Sequence, residues 1–250
     1  MKQVTILIFS SLILLALLPS SVSSQDAAVD ESLYAAYFSS SKTLYEKSVK
    51  KLTAQYEAEP SKEHLLDLAI AENALLSFTM RDKDEQLFDN YIDDAIKHLK
   101  KLIADHPDWG DPKALLSSAY GFKIAYSPMK GMFLGGKSSS LIDKATKESP
   151  ESALVWRLHA SNKLFTPEQW GGDKALALES YQQSIALFET QCNDLSQNWL
   201  YMDTLAWLGQ ACTANDKNEE AIVAYEKALE HEADFHWVGK SLLPNAKKRI

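Results

Sequence analysis

The stretch GMFLGGKS, residues 131–138, fits the pattern G-x-x-x-x-G-K-[ST] letter for letter. Where that pattern works, backbone N–H groups of a glycine-rich loop cradle a nucleotide's phosphates. The lysine neutralises them and the hydroxyl helps to hold Mg²⁺. The chemistry needs a β-strand before the loop, but KALLSSAYGFKIAY precedes it with helical periodicity. Met132, Phe133 and Leu134 are bulky where small residues would let the backbone close on phosphate. No later hydrophobic strand ends in an aspartate for the metal. The expectation is that no nucleotide binds here.

Other reactive side chains are as unassembled. The six histidines, at 64, 98, 106, 159, 231 and 236, form no H-E-x-x-H, and no C-x-x-C occurs. His231 and His236 are five apart, a poor spacing for sharing a metal on one helix face. His159 occupies a packing position. Asp82, Asp84 and Glu85 lack the glycine and closing glutamate of a calcium loop. Cys192 ends one helical segment and Cys212 lies near the far end of the next. At 1.5 Å per residue that separates them by about 20 Å, where a disulfide needs Cα atoms within about 7 Å. Free thiols are expected, with Cys212 packed. No G-x-S-x-G elbow is present. The expectation is no catalytic set, no metal and no cofactor.

The elements that carry these residues read as helices. Aromatics are 10% of the 250 residues, normal for a packed chain. Net charge is −8, without the basic excess of a nucleic-acid binder. Lys2 followed by the apolar run Val4–Leu18, then Pro19 and SSVSS, matches a secretory signal peptide cut near Ser24. The expected location is therefore periplasmic or secreted, with no membrane span after cleavage; an uncleaved anchor is the rival. Helical periodicity then covers about 31–58, 62–79, 86–105, 112–126, 137–148, 151–165, 173–191, 197–214 and 217–231, with a short segment near 236–248. Four parts follow: leader 1–24, an N-terminal helix within 25–60, repeats over 61–235, and a capping segment 236–250.

The second helix of each pair repeats a stripe: a small residue, a large one four later, another three after that, and often proline five further on. Ala95, Leu99, Leu102 and Pro107 fit it, as do Ser138, Ile142, Ala145 and Pro150. Ala177, Tyr181, Ser184 and Ala221, Tyr225, Ala228 keep the spacing without the proline, and Ser48, Leu52, Gln55, Pro60 is a weak copy. Steps of four and seven stay on one helix face, so each stripe is a packing seam.

These features resemble the tetratricopeptide repeat family, best over residues 202–233, LAWLGQA…EEAIVAYEKALE. The spacings of the small residues, 47, 43, 39 and 44, exceed the family's period, so insertions sit inside the repeats. HEAT-like repeats have periods in this range. The resemblance implies an all-α, right-handed α-solenoid of stacked antiparallel hairpins and a non-catalytic scaffold binding a protein or peptide in a groove lined by the first helices. Carried over by position, the groove residues are His64, Asp67, Ser118, Arg157, Ser161, Asp203 and Gln210. The alternative is a small-molecule or solute-binding accessory protein of the cell envelope, with its pocket near two glycine-rich loops.

Those loops read AYSPMKGMFLGGKSSSLIDKA and LFTPEQWGGDKALALESY. Each has Ser/Thr-Pro, a bulky residue, Gly-Gly and a lysine. Gly135-Gly136 and Gly171-Gly172 are expected to turn sharply into the following helix, with Phe133 and Trp170 covering the hairpin ends. Lys137 and Lys174, at expected helix N-termini, are ill placed against the helix dipole unless an anion lies there.

Overall fold

A computed structural model describes residues 31–250. The expected leader at 1–24, and residues 25–30 of the N-terminal part, lie outside the described residues. The described helices are α1 Glu31–Ser39, α2 Lys42–Ala58, α3 Lys62–Asp82, α4 Glu85–Asp105, α5 Gly110–Tyr126, α6 Gly131–Glu148, α7 Ala153–Phe165, α8 Lys174–Gln191, α9 Trp199–Ala214 and α10 Asn218–His231. A π-helical turn, Val238–Leu242, leads into α11 Leu243–Lys247.

Local chemistry starts most of these helices. Ser61, Asp84, Ser152, Asp173 and Asn198 each accept, through the side chain, the backbone N–H three residues on. An orphan donor of the first turn is thereby satisfied. Packing then pairs the helices in order. α3 with α4, α5 with α6, α7 with α8 and α9 with α10 form hairpins, and α3, α5, α7 and α9 follow one another as the first-helix layer. α2 packs on α3 and also on α1, which precedes it. The stripes are the seams: Ala95, Leu99, Leu102, Ile142, Ala145, Ala177, Tyr181, Ala221, Tyr225 and Ala228 are all buried. Gly209 shows why small residues face large ones, because a Cβ there would meet the Tyr225 ring at 2.2 Å. The result is an all-α fold of consecutive stacked helices, a helical-repeat solenoid.

Two expectations are corrected. The segment 31–58 is two helices, broken where Ser40 takes a left-handed φ of 52° and Ser41 caps α2. The run Ser39-Ser40-Ser41 offers hydroxyls that compete with helical hydrogen bonding, as Ser39 Oγ does in donating to the Ala35 carbonyl. The second correction concerns GMFLGGKS. It forms the first two turns of α6, which begins at Gly131, six residues before the expected start. Gly135 and Gly136 are helical, and of the two glycine pairs only Gly171 has positive φ, at 96°. Phe133 and Trp170 do not cover hairpin ends; both are exposed, as is Met132.

The break at Ser40 frees α1 to cross to the far end of the stack. Near its start, the hydroxyls of Ser32 and Ser48 of α2 lie 3.0 Å apart, and Arg81 of α3 donates to Ser40. On its other side, Tyr37 packs on Trp199 of α9 with ring centroids 5.3 Å apart, and Phe38 on Phe235 at 5.1 Å. Tyr34 donates to Glu232, just beyond α10. Leu33 and Ala36 are fully covered.

Candidate functional site

The first-helix layer carries a buried polar cluster. Arg157 of α7 donates through Nε to Asp203 Oδ2 of α9 at 3.0 Å, and its Nη2 reaches the same carboxylate. Tyr37 of α1 donates its hydroxyl to Asp203 Oδ1 at 2.6 Å. Burial pulls the Arg157 pKa down most strongly, but the charge and hydrogen bonds of Asp203, with Tyr181 and Tyr37, together outweigh it and the net shift is upward. Burial, and then the Asp203 charge, push the Tyr37 phenol well above its ordinary value. The buried Arg157 guanidinium is compensated because it has a carboxylate in direct contact.

The other residues assigned by position lie on the same layer. Ser161 shares a hydrogen bond with Tyr181 at 2.8 Å, and Ser118 accepts from Asn73 at 3.0 Å. Gln210 accepts from Tyr225 at 3.5 Å. His64 Nδ1 contacts the Glu59 carbonyl at 2.7 Å, and Asp67 is half-buried on α3. Arg157 and Asp203 are brought together; the rest are spread along the stack. Tyr37 is a member of the cluster that repeat position does not point to. Its signal is the aromatic cluster Tyr34, Tyr37, Phe38 in LYAAYF, which reads equally as an ordinary packing face. Beneath α1 the indole N–H of Trp199 is buried with no hydrogen-bond partner.

A second feature lies between α4, α5 and α6. An open groove of about 720 Å³ runs between α4 and α6 over α5. Lys97 and Lys100 of α4, Lys123 of α5, and Lys130 and Lys137 at the start of α6 line it, with Asp93 as the one acidic lining residue. Ile96, Tyr120, Phe133 and Leu134 supply its apolar surface. Lys123 donates to Asp93 at 2.8 Å, which holds that carboxyl below its ordinary value. Lys137 therefore faces a groove between repeats and not a phosphate loop of its own. The matching groove over α9, between α8 and α10, is about 290 Å³ and carries one acid and one base, Glu220 and Lys227.

A serine–histidine contact is present but reads as packing. His159 Nδ1 lies 2.8 Å from Ser180 Oγ, and both residues are buried. Ser180 also bonds the Leu176 carbonyl. Burial, with nearby Lys163, pushes His159 down to about 4, too weak a base to activate a hydroxyl near neutral pH. Cys212 is buried and its thiol pushed up to about 11 by burial; neither cysteine is paired. Among the described residues no three His, Cys, Asp or Glu side chains gather as for a metal, and no helix is long and apolar enough to cross a membrane.

No family model matches the chain, and no curated protein sequence matches it. Solved structures do match. The HusA haemophore from Porphyromonas gingivalis is similar with a TM-score of 0.59 at 18% identity, over 79% of this chain and 96% of that one. TTC0263, a thermophilic TPR protein in Thermus thermophilus, is similar with a TM-score of 0.54 at 19% identity, over 91% of this chain and 98% of that one. Likeness at such identity is likeness of fold, and the fold shared is the all-α stack of helical repeats.

Proposed function

We propose that the protein is an exported, non-catalytic scaffold of the tetratricopeptide type that binds polypeptide on its first-helix layer. One observation carries this reading: that layer already holds a polypeptide segment, α1. The segment is seated by side chains, with Tyr37 on Asp203 and Trp199 and Phe38 on Phe235. It is nine residues long and joined to α2 through two residues, left-handed Ser40 and extended Ser41. A helix that short has little stability of its own, so its place depends on those contacts. A partner helix bearing a carbonyl near Trp199 would also satisfy the indole N–H that α1 leaves unpaired. Neither a nucleotide nor a nucleic acid belongs to this reading.

The test is fluorescence anisotropy with a labelled peptide ESLYAAYFSSS. A full chain carrying Tyr37→Ala and Phe38→Ala is expected to bind it in trans at least about tenfold more tightly than the wild type, whose own α1 competes. Equal, negligible binding by both proteins, with helical content retained, would remove the proposal.

A second reading, carriage of a small ligand, is favoured by the groove over α5 with Tyr120 and Phe133 at its wall. One of the solved structures similar in fold is a haemophore.

A further inference from the structure

We propose that the groove between α4, α5 and α6 binds an amphipathic anion: an apolar, aromatic body that carries acidic groups. The inference rests on the small-ligand reading and is independent of the polypeptide reading. Its first support is charge. Five lysines from three helices face one groove against one aspartate, in a chain whose net charge is −8. Such a concentration of one sign in a concave site raises the local concentration of anions.

The second support is the start of α6. Among the described helices of eight residues or more, α6 has neither a side-chain cap nor an acidic residue in its first turn. Lys130 stands at its N-cap position, so positive charge is added to the positive end of the helix dipole, and Lys137 lies two turns further on along the same groove. Every other such helix is capped or carries an early acid: α5 has Asp111, α8 has Asp173, α10 has Glu219 and Glu220. An anion in the groove would complement these lysines, which no acid in the first turn of α6 offsets.

The third support is apolar. Phe133 is 73% exposed on the groove wall and Met132 is 79% exposed beside it. Exposed aromatic surface next to a cationic rim suits a flat apolar body with acids at its edge, where a simple ion would gain nothing from the ring. The matching groove over α9 has neither the lysine excess nor the volume.

The experiment uses the full chain and three probes: 1-anilinonaphthalene-8-sulfonate, its uncharged relative N-phenyl-1-naphthylamine, and inorganic phosphate as competitor. Saturable one-to-one binding of the sulfonate is expected. It should weaken at least about tenfold in Lys100→Glu/Lys137→Glu and in Phe133→Ser, and stay unchanged in Lys227→Glu. Lys100, Phe133 and Lys137 are exposed, so thermal melts of their variants should match the wild type and certify them. Lys227 is half-buried and paired with Glu189, so its variant tests only whether a remote charge reversal leaves binding intact. If the two aromatic probes bind alike and charge reversal changes nothing, the groove is merely apolar; the inference fails and the small-ligand reading stands. If neither aromatic probe binds, both fall. If phosphate displaces the sulfonate at equal concentration, the site takes simple anions and the amphipathic inference is overturned.

Discussion

Segments 127–136 and 166–173 both run from Ser/Thr-Pro through a bulky residue to Gly-Gly, and they fold differently. Both open with Ser/Thr-Pro and a single 3₁₀ turn, Pro128–Lys130 in one and Glu168–Trp170 in the other. After the first, Gly131 is already helical and α6 runs on through Gly135-Gly136. After the second, Gly171 turns left-handed, Gly172 passes against the Thr166 carbonyl, and Asp173 caps α8. The difference is one of register. In the first segment the glycines fall seven residues beyond the proline, inside a helix already under way. In the second they fall four beyond it, where the chain must reverse. Asp173 then supplies a cap, whereas Lys137 follows Gly136 directly and cannot.

Five substitutions break or sharpen this contrast, each read by chemical denaturation against the wild type. Gly172→Ala should do the most damage. Its Cβ would stand 1.7 Å from the Thr166 carbonyl oxygen, so backbone must move, and a loss of about 3 kcal/mol is expected. Gly171→Ala meets no neighbour but must hold a φ of 96°, which should cost about 1–2 kcal/mol. Asp173→Ala removes the acceptor for the Leu176 N–H, at about 1 kcal/mol. The last test changes sign. Gly135→Ala and Gly136→Ala sit in a helix with open space around each Cβ, so each should stabilise by about 0.5–1 kcal/mol. A destabilised Gly135→Ala would show that the first pair is a turn after all.

Much of the fold was legible in the sequence because it is locally encoded. Ser61, Ser152 and Asp173 mark helix starts by their own hydrogen bonds, and the stripe Ala221, Tyr225, Ala228 declares its buried face by spacing alone. The Gly-Gly pairs misled because glycine permits a turn without demanding one, and the distance from the proline decided. The site was less legible. Tyr37 and Asp203 are 166 positions apart, and only the break at Ser40 brings them together. Lys97, Lys100, Lys123 and Lys130 each read alone as a solvated charge, and Lys137 only as a lysine ill placed at an expected helix start. Their convergence belongs to the packing of three helices, and no stretch of local sequence contains it.

A linear stack of repeats resembles a row of magnets in which each feels only its neighbours, and such rows melt from the ends. α1 gives this row a clasp. It touches α2 and α3 at one end, α9 and the segment after α10 at the other, so both terminal layers share a component. Fraying of either end must undo contacts that the opposite end also uses. The chain thereby behaves less like an open row than like a closed bracelet, and whatever unseats α1 would loosen both ends at once.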